Sequence, residues 1–152
     1  MSQRLNYYEL APEPFRHLMA IEKQLRQTTL EHALLELVKL RVSQINGCAY
    51  CLNMHSTLLR QAGEPAHRID LVAAWREAPC YSDRERAALA WAEAVTLLAQ
   101  HPIKDESYEA LTDHFDETEI VHLTTAVVMI NSWNRFAVPF RKAPEIAAEA
   151  TA

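Results

Sequence analysis

Glycine is the residue that most limits the folds open to this chain, because only two glycines, Gly47 and Gly63, occur among its 152 residues. Sheets need glycine at tight hairpins and bulges, where the backbone takes conformations that other residues avoid. Apolar residues make up 49% of the chain, which is enough to enclose one hydrophobic core. The sequence therefore predicts an all-α fold in a single domain, residues 1–152, with a core of about 12–140.

Helical segments follow one another along the chain, marked by apolar residues at three- and four-residue spacings. Capping-box spacings, which mark helix starts, occur at Thr28–Glu31, Ser82–Glu85 and Asp116–Glu119. Gly47 stands where a left-handed residue would end one helix before the next begins. The pattern predicts an antiparallel hairpin of helices 29–46 and 48–62. Further helices are predicted at 11–27, 65–76, 84–100, 105–114 and 117–136.

The charge of the chain narrows the range of partners. Its formal net charge is −5 and its pI is near 5.8, whereas a nucleic-acid surface needs a basic face. The first residues, "MSQRLNYYELAPEP", are polar and lack the apolar core of a signal peptide. No stretch reaches the eighteen or so apolar residues of a membrane span. We therefore expect a cytoplasmic protein that binds neither nucleic acid nor membrane.

The stretch "INGCAYCLNMH", residues 45–55, concentrates the groups with chemical reactivity. Cys48 and Cys51 stand at a predicted helix start, where they can close a disulfide across one turn. The unpaired N–H groups and positive dipole end of a helix N-terminus stabilise a thiolate. In a cytoplasmic chain a close cysteine pair is more typical of catalysis or metal binding than of a structural disulfide.

His55 and Glu36 lie within reach of this cysteine pair. Cys51 and His55 are four residues apart and share one helix face. Across the hairpin, Glu36 lies eleven residues before Gly47 and His55 eight after it, so about 4–5 Å separate them along the axis. This spacing lets Glu36 orient and polarise His55. Because both the helix N-terminus and His55 favour its charged form, Cys51 is predicted to be the more acidic thiol.

Together these residues form the pattern E-x11-C-x2-C-x3-H, from Glu36 to His55. The pattern resembles the active-site signature of the alkylhydroperoxidase AhpD-like branch of the carboxymuconolactone decarboxylase superfamily. The segment "MINSWNRF" is similar to the last core helix of many members. The resemblance implies a peroxidase in which Cys51 attacks the peroxide and Cys48 resolves the sulfenic acid as a disulfide, with His55 and Glu36 as proton relay. Thioredoxin-like CxxC motifs use the opposite order, with the first cysteine attacking.

The resemblance also implies the partners of the protein. It implies a small-molecule peroxide as substrate, a thiol or dithiol reductant for recycling, no bound cofactor and no metal. The resemblance implies a trimer or hexamer, as in single-domain members of the family. The predicted helix 117–136 is apolar on most of its faces, as interface helices are. We therefore expect a homo-oligomer. The sequence departs from the family at Tyr50, where the best-known peroxidases carry a histidine before the second cysteine.

Other functions fit parts of the pattern. C-x2-C-x3-H supplies three zinc ligands, and His32 could add a fourth, but no second ligand pair occurs in the chain. A lactone decarboxylase of the same superfamily does not depend on a redox cysteine pair. A protein disulfide reductase would use the same two cysteines. Outside the pattern, Cys80 is interpreted as a structural thiol and His122 as a core or interface residue.

Overall fold

The computed structural model describes residues 2–146, and all regular structure in that range is helical. The elements are α1 (Tyr7–Leu10), α2 (Pro12–Leu25), α3 (His32–Asn46), α4 (Ala49–Gln61), α5 (Ala66–Leu71) with a 3₁₀ turn (Val72–Ala74), α6 (Asp83–Thr96), α7 (Asp105–Thr112) and α8 (Glu117–Ala137). No strand occurs among these residues, so the predicted all-α class is confirmed. None of the helices in that range combines the length and apolar character that a membrane crossing requires.

Helix α3 lies at the centre of the bundle and packs against α4, α6 and α8. Its buried apolar residues are Leu34, Leu35, Leu37, Val38, Leu40 and Val42. Three polar residues of the same helix, Glu36, Lys39 and Ser43, are buried with them. Burying a charged group costs free energy unless a partner compensates it. The partners of Glu36 and Lys39 therefore identify a polar region inside the core, which is a candidate for a functional site.

The corner between α3 and α4 is a single left-handed residue. Gly47 has φ 65° and ψ 34°, and its N–H donates to the carbonyl of Gln44. The N–H of Cys48 donates to the carbonyl of Ser43 at 3.0 Å, which completes the hydrogen bonding of the α3 end. The chain then enters α4 with Cys48 as its N-cap. The predicted helical hairpin is confirmed, and it places the cysteines at the corner.

Two of the three predicted capping boxes are confirmed, at Ser82–Glu85 and Asp116–Glu119. The third, at Thr28, is wrong, because α3 begins only at His32 and its N-cap Glu31 makes no side-chain cap. The Thr28 hydroxyl instead donates to the carbonyl of Leu25 at 2.8 Å and so serves the end of α2. The Glu31 carboxylate instead pairs with Arg84, and the Nε atom of Arg84 lies 3.1 Å from Oε1 of Glu31.

The position of α2 leaves an opening beside the hairpin. This helix packs against α1 and α8 and reaches α3 mainly through long side chains. An aromatic cluster fixes the arrangement at one end, joining the start of the chain to the end of α8. Its rings are Tyr7, Tyr8, Phe15, Trp133, Phe136 and Phe140, with neighbouring centroids 4.6–6.5 Å apart. The space between α2 and α4, with α3 as its floor, is a pocket.

Candidate active site

The four residues of the E-x11-C-x2-C-x3-H pattern come together in the structure. Glu36 projects from α3, while Cys48, Cys51 and His55 come from the first two turns of α4. All four are buried, with no more than 4% of each residue exposed. The hairpin is responsible for this, because its one-residue corner sets the antiparallel register of the two helices. The roles of these residues remain a proposal, but their proximity follows from the fold.

Glu36 and His55 form a buried hydrogen-bonded pair. The Nδ1 atom of His55 lies 2.7 Å from Oε2 of Glu36. A carboxylate accepts a hydrogen bond only from an N–H, so this contact places a hydrogen on Nδ1; in the neutral ring Nε2 then carries the lone pair. Nε2 is buried and has no hydrogen-bond partner among the described residues. The imidazole is therefore oriented as a base with its lone pair available.

The Glu36 carboxylate is charged despite its burial. Loss of hydration raises the pKa of a buried carboxyl, but the hydrogen bond from His55 and the positive charge of Lys39 outweigh this and hold the pKa of Glu36 below its ordinary value. The Nζ atom of Lys39 lies 3.8 Å from Oε1 of Glu36. An ionised carboxylate is the form that polarises an imidazole, so Glu36 can orient and polarise the ring of His55.

The two cysteines are free thiols joined by a hydrogen bond, with their sulfur atoms 2.7 Å apart. The two sulfur atoms share one hydrogen between them, and the backbone N–H of Cys51 donates to the sulfur of Cys48 at 3.4 Å. The side-chain hydrogen bond from Cys51 is the main reason why the pKa of Cys48 falls to about 7, against the effect of burial. The same bond, burial and the neighbouring charge raise the pKa of Cys51.

The prediction that Cys51 is the more acidic thiol is therefore wrong for the resting pair. Cys48, as the N-cap, receives the backbone N–H, and Cys51 supplies it from the third helical position. The neighbouring thiol and the backbone N–H lower the pKa of Cys48, whereas the neighbouring thiol and burial raise the pKa of Cys51. The Asn134 amide of α8 lowers the pKa of both thiols, and its side chain is held by hydrogen bonds with Asn46 and Ser43.

The lowered pKa of Cys48 gives a first testable prediction. In a Cys80→Ser background, thiolate absorbance in the ultraviolet is expected to rise with a midpoint near pH 7, because Cys48 loses its proton above its lowered pKa. Cys51→Ala removes the thiol donor and is expected to move the midpoint upward. Cys51→Ser retains a hydroxyl donor and serves as the control, with a smaller shift. A midpoint that is the same in all three chains would contradict this account.

The pocket beside the hairpin has a volume of about 740 Å³, well within the range of small-molecule sites. Glu36, Cys51 and His55 lie on its wall, together with residues of α1, α2 and α8. Cys48 is not among the described residues that line it and lies behind Cys51. A molecule that enters the pocket therefore meets the sulfur of Cys51 first.

A second buried ion pair extends from the site toward α2. Nζ of Lys39 lies 2.7 Å from Oε2 of Glu22, and the indole Nε1 of Trp133 donates to Oε1 of the same carboxylate at 3.0 Å. No sequence pattern predicted that Glu22, Lys39 or Trp133 belongs to the site. The i, i+3 spacing of Glu36 and Lys39 is the one local signal, whereas Glu22 and Trp133 are brought in by tertiary packing.

The Lys39→Met substitution is expected to lower the free energy of unfolding by roughly 3–5 kcal/mol, because it leaves Glu22 and Glu36 buried without their common cation. Chemical denaturation measures this value. Arg16→Met breaks the exposed Arg16–Glu13 pair, at 2.6 Å, and is the control; it is expected to cost less than about 1 kcal/mol. Adding Glu22→Gln to Lys39→Met should restore part of the loss. Equal losses in Lys39→Met and the control would contradict the prediction.

The other end of the pocket is aromatic. Nζ of Lys142 lies 4.2 Å from the ring centroid of Tyr50, 4.5 Å from that of Tyr8 and 5.9 Å from that of Tyr7. The ring at position 50, where the family's peroxidases carry a histidine, therefore contacts a cation, and the charge of Lys142 favours a thiolate at Cys51. The sequence analysis missed Lys142 and Tyr7, which come from opposite ends of the chain.

The residues left outside the predicted site are placed as follows. His32 is exposed at the start of α3, and Cys80 is half-buried between α5 and α6, with its carbonyl bound to Arg68. His122 lies on α8, and its Nδ1 is buried without a hydrogen-bond partner among the described residues. Within residues 2–146, no three His, Cys, Asp or Glu side chains are arranged to hold a metal ion.

The helical bundle, the cysteine pair and the Glu36–His55 pair define a known class of protein. The model of the carboxymuconolactone decarboxylase family matches residues 12–94, which include all four residues of the pattern. The chain belongs to this family, and its structural neighbours place it in the AhpD-like branch.

Three relatives show how far the similarity extends. The uncharacterised protein YdfG of Bacillus subtilis is 43% identical over 138 residues, which are 91% of this chain and 94% of YdfG. A protein of unknown function from Agrobacterium tumefaciens, whose suggested role is that of the antioxidant defence protein AhpD, is 42% identical with a TM-score of 0.92, over 96% of this chain and all of the other. An uncharacterised peroxidase-related protein from Silicibacter is 25% identical, with a TM-score of 0.81, over 91% of this chain and 73% of its own.

Proposed function

We propose that this protein is a cytoplasmic thiol-dependent peroxidase that reduces peroxides through a Cys48–Cys51 dithiol–disulfide cycle. The observation that carries the proposal is the position of Cys51. Its sulfur lies on the wall of a pocket, 2.7 Å from the sulfur of Cys48 and beside an imidazole whose Nε2 has no partner among the described residues. These are a nucleophile, a resolving thiol and a base in one place.

The reaction begins with movement of one proton. The proton of the S–H···S bond passes from Cys51 to Cys48, which puts the negative charge on the sulfur that faces the pocket. The Cys51 thiolate attacks the outer peroxide oxygen, the O–O bond breaks, and Cys51 becomes a sulfenic acid. The departing alkoxide takes a proton from the Cys48 thiol, directly or through His55, and leaves as an alcohol.

Disulfide formation completes the cycle. Cys48, again a thiolate, attacks the sulfur of the Cys51 sulfenic acid and the S–O bond breaks. The hydroxide that leaves takes a proton from solvent, which replaces the one released when Cys48 ionised, and becomes water. The net reaction converts two thiols and one hydroperoxide into a disulfide, an alcohol and water. A thiol or dithiol reductant then restores the pair. No bound cofactor takes part in this scheme.

The burial of the pair favours a small substrate. Each cysteine is 1% exposed, so a disulfide on the surface of another folded protein cannot approach either sulfur. This argues against the protein disulfide reductase. A lactone decarboxylase has no need of two sulfur atoms 2.7 Å apart, and zinc would require ligands that the described residues do not bring together.

Mass spectrometry after one equivalent of peroxide tests the proposal. The expected result is that Cys48 and Cys51 are both lost from alkylation and that the mass is lower by two hydrogens, with Cys80 still alkylated. Purified protein that retains both thiols after excess peroxide, or that carries one zinc ion per chain, would overturn the proposal. Turnover of a muconolactone without change in the thiols would favour the decarboxylase.

We further propose that the protein is a homo-oligomer, a trimer or hexamer, assembled through the outer face of α8. Val121 and Val128 on this face are 63% and 51% exposed. Between and after them, the hydroxyls of Thr125 and Ser132 donate to carbonyls of their own helix, which leaves an uncharged stripe. Light scattering at micromolar concentration is expected to give three or six chain masses. A monomeric mass would contradict this.

A further inference from the structure

The pocket that contains Cys51 has long apolar walls open to solvent. Met19 on α2 faces Met54 and Leu58 on α4, and these three side chains are 59%, 36% and 37% exposed. Covering apolar side chains at the mouth of a site with an apolar ligand lowers the free energy, because it removes them from water. Hydrogen peroxide would leave these walls in contact with water. The walls therefore fit a ligand with a long apolar body.

The charges of the pocket are unequal from one part to another. Its two carboxylates are paired internally, Glu22 with Lys39 and Glu36 with His55. On the rim, Lys23 and Arg26 line the opening and are exposed, and neither has an ion-pair partner within residues 2–146. The chain as a whole carries a net charge of −5. Uncompensated cations at this mouth, on an acidic protein, favour an anionic ligand.

The topology places this positive rim at a defined distance from the reactive sulfur. Residues 26–31 join α2 to α3, so the last turn of α2 lies near the start of α3. Because α3 and α4 are antiparallel, the start of α3 lies beside the C-terminal turns of α4, near Leu58. The last turn of α2 is therefore also near Leu58. Leu58 is seven residues beyond Cys51, which is about 10 Å along the helix axis.

We infer that the substrate is a single-chain carboxylic acid that carries a hydroperoxide, as in a fatty-acid hydroperoxide. This inference rests on the proposed peroxidase function and names its substrate class. The carboxylate binds to Lys23 and Arg26, the chain lies along Met19, Met54 and Leu58, and the O–O group reaches Cys51. The Cys51 thiolate takes the outer oxygen, and the product is the corresponding hydroxy acid, with water released as Cys48 closes the disulfide.

Single-turnover kinetics test the inference. Reduced protein is mixed with the hydroperoxide of an eighteen-carbon unsaturated fatty acid or with its methyl ester, both below micelle-forming concentrations, and the loss of thiols is followed. The acid is expected to react about tenfold faster than the ester, because one charge-assisted hydrogen bond changes an affinity by about that factor. In the Lys23→Gln/Arg26→Gln variant this ratio should fall to about one, whereas Lys104→Gln, an exposed control outside the pocket, should preserve it. An equal rate for acid and ester, or a ratio that survives the double variant, would overturn the inference.

A binding measurement separates this inference from the peroxidase proposal. Calorimetry with dodecanoate, which has no O–O bond, and with dodecanol is expected to show a preference for the carboxylate that disappears in Lys23→Gln/Arg26→Gln. If that preference is found but no hydroperoxide is reduced, the carboxylate site stands and the peroxidase function fails. If hydroperoxides are reduced but dodecanoate binds no better than dodecanol, the function stands and the inference fails.

Discussion

The Cys51→Ser substitution is expected to abolish peroxide reduction entirely, because it removes the one thiol among the described residues that line the pocket. A serine hydroxyl at this position is not ionised and cannot attack an O–O bond at a useful rate. The other thiol of the pair, Cys48, has a lowered pKa but lies behind position 51. Stopped-flow measurement of peroxide consumption, with thiol counting after the reaction, gives the result directly.

The Cys48→Ser variant is expected to behave differently, since it removes the resolving thiol alone. The first step should still occur, and the sulfenic acid at Cys51 should accumulate and react with dimedone. Cys80→Ser serves as the matched control and should retain the full cycle, because this thiol lies outside the pocket. A dimedone adduct on Cys48 in the Cys51→Ser chain would reverse the order of the two cysteines and establish the thioredoxin-like order.

Loss of the proton relay is expected to have the next largest effect. Glu36→Gln and His55→Gln should each slow the reaction by roughly 10²–10⁴, the usual cost of removing a general base. Without Glu36 the Nδ1–H of His55 loses its carboxylate at 2.7 Å, so the imidazole is neither held nor polarised. Without His55 the pocket wall loses the imidazole whose Nε2 has no hydrogen-bond partner among the described residues.

The pH dependence distinguishes this role from a merely structural one. Because the pKa of Glu36 is held below its ordinary value, its carboxylate stays charged until the pH falls below the range in which an exposed glutamate takes up a proton. The relay variants should instead react more slowly than the unaltered protein at every pH, because the proton then reaches the departing alkoxide without the oriented imidazole. Glu13→Gln and His17→Gln, both at exposed positions of α2, are the controls. Rates and pH profiles equal to those of the controls would exclude Glu36 and His55 from the relay.

Local patterns in the sequence were sufficient to predict the longer helices and the reactive corner, but not the short helix α1. A glycine that ends one helix and a cysteine that caps the next need only a few consecutive residues to be recognised. Counting outward from Gly47 was then enough to place Glu36 beside His55, since two antiparallel helices have a fixed rise per residue. The capping boxes at Ser82 and Asp116 were found for the same reason.

Other features of the site depended on contacts that no local pattern records. Trp133 and Glu22 are 111 positions apart in sequence, and the fold alone brings them together. The acidity of the two thiols was assigned in the wrong order because it depends on which sulfur accepts one backbone N–H. That choice changes when a helix boundary moves by a single residue, which is the least certain feature of any helix predicted from sequence. Thr28 failed as a cap for a similar reason, since its hydroxyl served the preceding helix.

The arrangement of α2 separates the two tasks of the site between different parts of the chain. Cysteines, imidazole and carboxylate all lie on the α3–α4 hairpin, whereas the outer wall of the pocket and its basic rim belong to α2, which is anchored on α8. Substitutions on the outward face of α2, at positions such as 19, 23 and 26, change what enters the pocket and leave the reactive atoms where they are. Relatives that share the hairpin can thus acquire different specificities through substitutions on one amphipathic helix, while the reactive residues stay the same.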